Sequence, residues 1–321
     1  MNLENDYLVS VCVPVYKVEQ YIERCARSLF EQTYENIEYV FVDDCSPDNS
    51  IAIVKRVAEQ YPHRKPNVRL IRHKTNSGLG QARNTGVFEA KGIFILHVDS
   101  DDYIDANVVK RLVEKQKETK ADIVRYPKKI LYKTKTQIEQ VREYNSPRDL
   151  LEDILACKIA GNVCGGLIRT SLYRDNNIKV EGHVSQSEDF QVMPRLLYYA
   201  KSIAVVNDVY YYYDRTGENS YSNNMTEISY QQIAISLEFI DDFLIRNKEK
   251  DLCSLLWKGV MIGFCRSKMG FCRADNRQMY NHICYLIERY LPKLSVSLPF
   301  KYRLLISCKN YQMFKLLMLF K

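Results

Sequence analysis

The stretch Ile93-Phe94-Ile95-Leu96-His97-Val98-Asp99-Ser100-Asp101-Asp102 decides the fold. It begins as an almost continuous apolar run, which is typical of a strand buried on both faces of a parallel sheet. Its last four residues include three carboxylates. Alternate side chains of an extended segment share a face, so Asp99 and Asp101 are predicted to point to the same side. Paired carboxylates suit Mg²⁺ or Mn²⁺. The alternative is a polar turn in which Asp102 caps the next helix.

The segments before this stretch alternate between strand and helix patterns. Apolar, β-branched runs indicate strands at 9–15, 38–42 and 68–72, and helical spacing indicates helices at 18–32, 47–61 and 81–90. This alternation is typical of βαβ units in an open, mostly parallel α/β sheet. Ligands of such sheets bind at the carboxyl ends of the strands. Because Asp43-Asp44 also follows a strand, we expect both acidic clusters to line one crevice.

The second half of the chain becomes progressively more helical. Patterns after residue 120 indicate strands at 121–126 and 203–213 and helices at 147–157, 188–200, 226–247, 251–268 and 275–290. Gly165-Gly166 is a point where the backbone could approach a ligand closely. The polar stretch 216–224 suggests a boundary, so we predict one domain at 1–220 and a helical region at 221–321.

The charge of the chain is uneven. Six of its seven net positive charges lie in residues 293–321, which contain no acid. The remaining body is nearly neutral, which argues against a nucleic-acid-binding protein. Plotted at 100° per residue, the segment 300–320 shows apolar side chains all round. Two interpretations remain open for 293–321: peripheral contact with an anionic membrane, or packing against the body or a partner.

The remaining composition predicts a globular cytoplasmic protein, peripheral to the membrane if its tail binds lipid. Hydrophobic residues make up 46% of the 321-residue chain, and its 10 cysteines show no paired CxxC spacing. Scattered among apolar residues, these cysteines indicate buried thiols in a reducing compartment. The acidic start at 1–6 predicts no secretory signal. No run of 18 apolar residues occurs, so no membrane-spanning segment is predicted.

Four motifs carry a family resemblance. In chain order they are Pro14-Val15-Tyr16, Asp43-Asp44, Asn76-Ser77-Gly78-Leu79-Gly80-Gln81-Ala82-Arg83-Asn84 and Asp99-Ser100-Asp101-Asp102. Together, over roughly residues 7–213, they resemble glycosyltransferase family 2. The resemblance implies a GT-A fold, a Rossmann-like mostly parallel sheet flanked by helices with a C-terminal helical appendage. It also implies a nucleotide-binding half at about 7–120 and an acceptor half at about 121–220.

The resemblance implies a role for individual residues in holding a nucleotide-sugar donor. The predicted donor contacts are Pro14, Tyr16, Asp44, Asn76, Gly78, Arg83, Asp99 and Ser100. Asp44 would accept the N3–H of uracil, and Arg83 would pair with the diphosphate. Asp99 would reach the ribose hydroxyls, and Asp101, with Asp99, would ligate the divalent metal. The alternatives are that Asp43 and Asp44 only cap a helix and that Arg83 is a surface residue on a helix.

Glu188-Asp189 lies where the family places its catalytic base. Inverting transfer needs a carboxylate that takes the proton of the acceptor hydroxyl. By resemblance we predict Asp189 as the base and Glu188 as a residue that positions the acceptor or the donor sugar. The alternative is that both are acids in the first turn of a helix, where the helix dipole favours them.

Two residues depart from the family pattern. Lys17 occupies a position where asparagine is frequent, and Cys45 occupies a position where glycine is frequent. The Gln-x-x-Arg-Trp motif of processive members is absent, which favours one sugar per encounter. The predicted function is metal-dependent, inverting transfer of a sugar from a UDP-sugar to a saccharide or lipid-linked acceptor in cell-surface polysaccharide synthesis. The rival hypotheses are a nucleotidyltransferase, which usually has a Gly-rich loop after its first strand, and a non-catalytic scaffold that binds nucleotide or membrane.

Overall fold

A computed structural model describes residues 7–182, 184–216 and 225–318 of the chain. The strands are β1 (Val9–Val15), β2 (Ile37–Asp43), β3 (Val68–Arg72), β4 (Phe94–His97), β5 (Tyr103–Ile104), β6 (Ile123–Arg125), β7 (Lys128–Leu131), β8 (Thr136–Glu139), β9 (Gly166–Arg169), β10 (Ile203–Val205) and β11 (Tyr211–Asp214). The helices are α1 (Ile22–Phe30), α2 (Ser50–Glu59), α3 (Leu79–Glu89), α4 (Val108–Thr119), α5 (Pro147–Leu155), α6 (Thr170–Asp175), α7 (Glu188–Tyr199), α8 (Glu227–Arg246), α9 (Lys250–Arg273), α10 (Arg277–Tyr290), α11 (Phe300–Ser307) and α12 (Tyr311–Leu317). Short 3₁₀ turns occur at Lys65–Asn67, Val163–Gly165 and Leu291–Lys293.

The main sheet has seven strands in the order β10-β6-β9-β4-β1-β2-β3. Strand β9 runs antiparallel to β4 and β6, and the other pairs are parallel. Strands β1 and β2 are buried along their whole length, as their continuous apolar runs predict. The predicted mostly parallel sheet flanked by helices is confirmed.

A second sheet has four strands in the order β5-β11-β7-β8. It corrects one prediction, because the strand expected at 203–213 is two strands that belong to different sheets. Strand β10 pairs with β6 in the main sheet, and β11 pairs with β5 and β7 in the second. Asn207 and Asp208 interrupt the apolar run, and its two halves pair with different strands. Strands β7 and β8 form from 127–145, a segment without a clear pattern.

The acidic stretch after β4 is a turn. The strand ends at His97, and the Asp102 N–H donates to the Asp99 carbonyl oxygen at 3.0 Å. The extended geometry that placed Asp99 and Asp101 on one side is therefore wrong at this point. Strand pairing explains the early end, because β4 pairs with β1 only from Phe94 to His97. The Val98 amide still donates to the Cys12 carbonyl oxygen at 3.1 Å, and the backbone turns after it.

The chain forms two compact units. The first comprises Met1–Asp149 and Asn162–Asn224, and the second comprises Leu150–Gly161 and Met225–Lys321. The predicted boundary at residue 220 falls among residues 217–224, outside the described ranges, as do the acidic start at 1–6 and the last residues, 319–321. No helix within the described residues is long and apolar enough to cross a membrane.

The second unit is helical, and its terminal segment is two short helices. Residues Leu305 of α11 and Tyr311 and Phe314 of α12 are buried in a core cluster with Cys265, Cys272 and Tyr280. A buried lysine strengthens this packing, since Lys268 Nζ donates to the carbonyl oxygens of Leu305 (2.8 Å) and Cys308 (2.7 Å). The inner side of the tail therefore packs against its own unit.

Candidate functional site

Arg83 joins three other predicted site residues. Its Nη1 donates to Glu188 Oε1 at 2.5 Å and to Asp189 Oδ1, and its Nη2 donates to Asp99 Oδ1 at 2.8 Å. The side chain is only 7% exposed. The three acids raise the pKa of Arg83 well above its usual value, although burial opposes this. The interpretation of Arg83 as a surface arginine is therefore wrong.

The loop before α3 sets the position of Arg83. Gly78 immediately precedes the helix with a φ of +87°, a conformation that residues with a Cβ rarely adopt. A Cβ at this position would also collide with the Ser185 hydroxyl. Further along the helix, Asn84 is joined to Val180 by two hydrogen bonds of 2.8 Å. These contacts hold α3 against the segment that leads into Asp189.

Asp44 is buried and organises this loop. Its carboxylate accepts the Ser77 and Gly78 amides, both at 2.8 Å, and contacts His73 Nδ1 at 2.7 Å. The side-chain amide of Asn76 donates to the Asp44 backbone carbonyl oxygen at 3.2 Å. Asp44 does not cap α2, because Asp48 accepts the Ser50 amide at 3.2 Å instead. Each carboxylate oxygen can accept two hydrogen bonds, so Oδ2 keeps capacity for another donor.

The two departures from the family pattern both have left-handed backbones. The φ angles are 55° at Lys17 and 58° at Cys45. Asparagine and glycine adopt this conformation at lower cost than other residues. Nearby, Pro14 is buried in β1 opposite Val42, whereas Tyr16 is 40% exposed just beyond the strand. The exposed ring of Tyr16 is thus free to contact a ligand.

Replacement of Lys17 by asparagine should stabilise the protein. We expect the free energy of unfolding to rise by about 0.5–1 kcal/mol, because asparagine tolerates the left-handed conformation better. Denaturant unfolding measures the change, and Lys201→Asn is the matched control on a surface residue without a positive φ. Equal or lower stability of Lys17→Asn relative to wild type would contradict the prediction.

The acids after β4 have three different environments. Burial opposes ionisation of Asp99, but Arg83 outweighs it and holds the Asp99 pKa below its usual value. Burial and the neighbouring Asp99 raise the pKa of Asp101 to about 6. Asp102 is fully buried and accepts the Tyr211 hydroxyl at 2.6 Å and the Asp214 amide at 2.9 Å. Asp102 therefore binds β11 of the second sheet instead of capping a helix, and Ser100 is also buried.

The fit of a divalent metal depends on Asp101. The described residues contain no group of three or more His, Cys, Asp or Glu that could hold a metal by itself. Asp101 forms no ion pair with a described residue, whereas Asp99 and Asp214 pair with Arg83 and Arg24. A half-buried carboxylate without an ion-pair partner among the described residues suits Mg²⁺ or Mn²⁺, which commonly take their other ligands from phosphates and water. Asp101 thus fits the predicted metal better than Asp99, whose charge Arg83 already balances.

Glu188 and Asp189 form the first turn of α7, as predicted. Besides its contact with Arg83, Asp189 accepts the Val163 amide at 3.4 Å. Burial raises the pKa of both acids, in the case of Glu188 to about 8, although Arg83 opposes the shift. The pair makes tertiary contacts that a favourable helix dipole alone does not require. A raised pKa makes a carboxylate a stronger proton acceptor once it is ionised.

The stability of the protein should fall as pH rises from 4.5 to 8. In this window the folded chain keeps a proton on Glu188 that the unfolded chain has lost. We expect Glu188→Gln to flatten the fall by up to about 1.4 kcal/mol per pH unit. Denaturant unfolding across this window tests it, with the exposed Glu118→Gln as control. Parallel curves for wild type and Glu188→Gln would contradict it.

Several residues of the site were not predicted. Arg24 of α1 donates to Asp214 Oδ2 at 2.6 Å and to the Asp101 carbonyl oxygen at 3.0 Å. The Tyr211 hydroxyl accepts the Asp99 amide at 3.1 Å. Asp214 ends a tyrosine-rich strand, which is a weak signal. Nothing in the local sequence of Arg24 indicates its role.

Comparisons with known proteins agree with these motifs. The model of the family "Glycosyl transferase family 2" matches residues 10–174. The uncharacterized glycosyltransferase EpsJ of Bacillus subtilis (strain 168) is 44% identical over 117 residues, which cover 36% of this chain and 33% of EpsJ. The poly(ribitol-phosphate) beta-glucosyltransferase of Bacillus spizizenii is 33% identical over 216 residues, 66% of this chain and 33% of that protein. The chain thus aligns with about a third of the length of these relatives.

A solved structure shares the fold. The crystal structure of S. aureus TarS 1–349 in complex with UDP-GlcNAc superposes with a TM-score of 0.71 at 22% identity, covering 96% of this chain and 89% of that one. The predicted GT-A fold is therefore confirmed, with its mostly parallel sheet and helical C-terminal region. Since the family model matches more than half of the sequence, the chain belongs to glycosyl transferase family 2.

Proposed function

We propose that the protein is a metal-dependent, inverting glycosyltransferase that moves a sugar from a UDP-sugar to a saccharide or lipid-linked acceptor in cell-surface polysaccharide synthesis. The observation that carries this proposal is the contact of Arg83 with Asp99, Glu188 and Asp189. It brings the predicted diphosphate-binding group and the predicted base into one cluster. The UDP-GlcNAc complex of TarS supports a uridine donor, and the name of the Bacillus spizizenii relative supports a cell-surface polymer.

Donor binding would redistribute the partners of Arg83. A guanidinium pairs well with phosphate oxygens, so the donor diphosphate would compete with Glu188 and Asp189 for Nη1. Asp99, on Nη2, would stay close to the ribose. Tyr16 would cover the base, and Asp44 would hold the loop of Ser77 and Gly78 while its Oδ2 accepts the uracil N3–H. The diphosphate thus frees Asp189 at the moment when a base is needed.

The transfer is a single displacement. The acceptor hydroxyl oxygen attacks the anomeric carbon, its proton passes to an Asp189 carboxylate oxygen, and the bond from the anomeric carbon to the diphosphate breaks with inversion. Glu188, largely protonated at neutral pH, can donate a hydrogen bond to a sugar hydroxyl. A divalent metal held by Asp101 would stabilise the charge on the departing diphosphate.

A donor screen tests the proposal. We expect UDP-sugars with Mn²⁺ to raise the melting temperature of the wild-type chain, since a ligand at 100 times its Kd stabilises by about 2.7 kcal/mol. GDP-sugars should protect less, and the Asp101→Ala variant should lose the metal-dependent part. Asp208→Ala, on the exposed surface, is the control. Lack of protection by every donor, together with no turnover, would overturn the proposal.

The same assays separate the rival functions. A nucleotidyltransferase would release pyrophosphate from a nucleoside triphosphate in the presence of a sugar phosphate. A non-catalytic scaffold would bind nucleotide but would not turn over, and Asp189→Asn would behave like wild type. Either result would replace the proposed transfer reaction.

We also propose that the protein works in the cytoplasm, at the membrane face, through its tail. The outer side of α11 and α12 exposes apolar side chains, including Phe300 at 72% exposure, and Lys301 and Arg303 lie beside them. Exposed aromatic and basic groups together favour an anionic lipid surface. Vesicles of phosphatidylglycerol should sediment the wild-type chain but much less of Phe300→Ser. Phe88→Ser, equally exposed in α3, is the control. Equal sedimentation with neutral phosphatidylcholine would contradict the proposal.

A further inference from the structure

Arg125, at the end of β6, is a buried guanidinium with two nitrogen atoms that lack a hydrogen-bond partner among the described residues. Its side chain is nine-tenths buried, and its Nε and Nη1 atoms have no hydrogen-bond acceptor. Within residues 7–182, 184–216 and 225–318 it forms no ion pair. Burial lowers the Arg125 pKa, although Glu139 and Asp189 oppose the shift. An uncompensated buried cation costs several kcal/mol, so the position implies an anion that stabilises it when bound.

A second buried cation, Lys128, lies beside Arg125 at Gly165. A Cβ added to Gly165 would stand 3.0 Å from Arg125 Nη2 and 3.3 Å from Lys128 Cε. Both side chains therefore converge where Gly165 has none. Lys128 is buried too, with Nζ over the Tyr211 ring at 5.6 Å, and it forms no ion pair with a described residue. The absence of a side chain at Gly165 thus lets both cations pack closely against its backbone.

This cationic pair lies beside the predicted base. The 3₁₀ turn Val163–Gly165 provides the connection: its first residue donates an amide to Asp189, and its last residue touches Arg125 and Lys128. The middle residue, Cys164, accepts from Arg83 at 3.8 Å. Asp189 also acts electrostatically on Arg125.

We propose that Arg125 and Lys128 form an anion subsite that binds a phosphate group of the acceptor, next to the hydroxyl that Asp189 deprotonates. The inference rests on the proposed function and adds to it that the acceptor is anionic. The planar fork of an arginine matches phosphate oxygens, and a lysine adds a point charge. Two buried cations without ion-pair partners suit an oxyanion better than a neutral saccharide.

A titration of glycerol 3-phosphate tests the subsite. The full chain is first saturated with UDP and Mg²⁺, so that the diphosphate site is filled, and binding is followed by ³¹P NMR. We expect glycerol 3-phosphate to bind wild type saturably. The neutral analogue glycerol should not compete with it. Arg125→Met and Lys128→Met should each weaken binding about tenfold, equivalent to 1.4 kcal/mol. Inorganic phosphate and acetate as competitors distinguish a phosphate site from a general oxyanion site.

Two variants keep the test clear. Lys129→Met is the matched control, because Lys129 is the next residue of β7 and its ammonium lies over the Tyr210 ring at 3.9 Å instead. If Arg125→Met does not fold, Arg125→Lys replaces it as a variant that keeps the charge. Arg125→Lys should bind glycerol 3-phosphate more strongly than the double variant Arg125→Lys with Lys128→Met. Glycerol 3-phosphate binding that is unchanged in both single variants overturns the subsite.

The outcome also separates this inference from the proposed function. If UDP-sugars protect the chain and are turned over while glycerol 3-phosphate does not bind, the anion subsite is wrong and the transferase proposal stands. If the anion binds through Arg125 but no nucleotide sugar protects, the assignment to an acceptor is overturned. Parallel loss of UDP affinity in Arg125→Met would assign the cations to the donor and would equally overturn it.

Discussion

The Asp189→Asn variant is expected to transfer sugar roughly 10²- to 10⁴-fold more slowly than wild type, the usual contribution of a general base. Asparagine keeps the shape of the side chain and can still accept the Val163 amide, so the fold should persist. It cannot take the proton of the attacking hydroxyl. UDP release from a UDP-sugar, measured with acceptor present, gives the rate, and protection by UDP in thermal unfolding shows whether donor binding is retained.

The control for this variant addresses the helix-dipole alternative. Asp251 lies in the first turn of α9, as Asp189 lies in the first turn of α7, but it is exposed. Asp251→Asn should therefore leave transfer unchanged. Transfer by Asp189→Asn within threefold of wild type would show that Asp189 is only a favourably placed acid, and the base would have to be sought elsewhere.

Removal of the Arg83 charge is expected to have the largest effect on stability. Arg83→Met leaves the buried Glu188 and the half-buried Asp99 and Asp189 without their ion-pair partner, and breaking a buried ion pair costs about 3–5 kcal/mol. The loss should shrink as pH falls toward 5, because the abandoned carboxylates then take up protons. Denaturant midpoints at two pH values measure both effects.

A second arginine separates stability from function. Arg64 is as buried as Arg83, but its guanidinium donates to backbone carbonyl oxygens of Phe30, Gln32 and Glu35. Arg64→Met should also destabilise the fold, yet its folded fraction should keep donor binding, which Arg83→Met should lose. Arg83→Lys retains one charge and should recover part of the stability. A loss for Arg83→Met below about 1 kcal/mol would show that Asp99 and Asp189 are not ionised together.

Donor-side residues were predictable from local patterns. The apolar runs that became β1 and β2 end at Val15 and Asp43, so the motifs after them had to lie at one edge of the sheet. Gly78 stands directly before the helix that carries Arg83, and its positive φ allows the sharp entry into that helix. The physical reason is that strand periodicity, burial and turn chemistry are encoded within a few residues.

Local patterns could not specify how these parts are connected. Arg83 meets Glu188 and Asp189 across more than 100 residues of sequence, and no periodicity records such a contact. The strand β4 ended before the acids because pairing with β1 stopped at His97, which separated Asp99 from Asp101. The run 203–213 divided because two sheets offered it partners.

The sequence by itself determined the alternating sheet, the order of the acidic and glycine-rich motifs, and hence the family. Only the tertiary structure decided which charges compensate one another. It assigned Asp99 to Arg83, Asp102 to Tyr211 and Asp214 to Arg24, and it left Asp101 and Arg125 without an ion-pair partner among the described residues. Charge compensation depends on distance and burial, and these follow from packing of segments far apart in the chain.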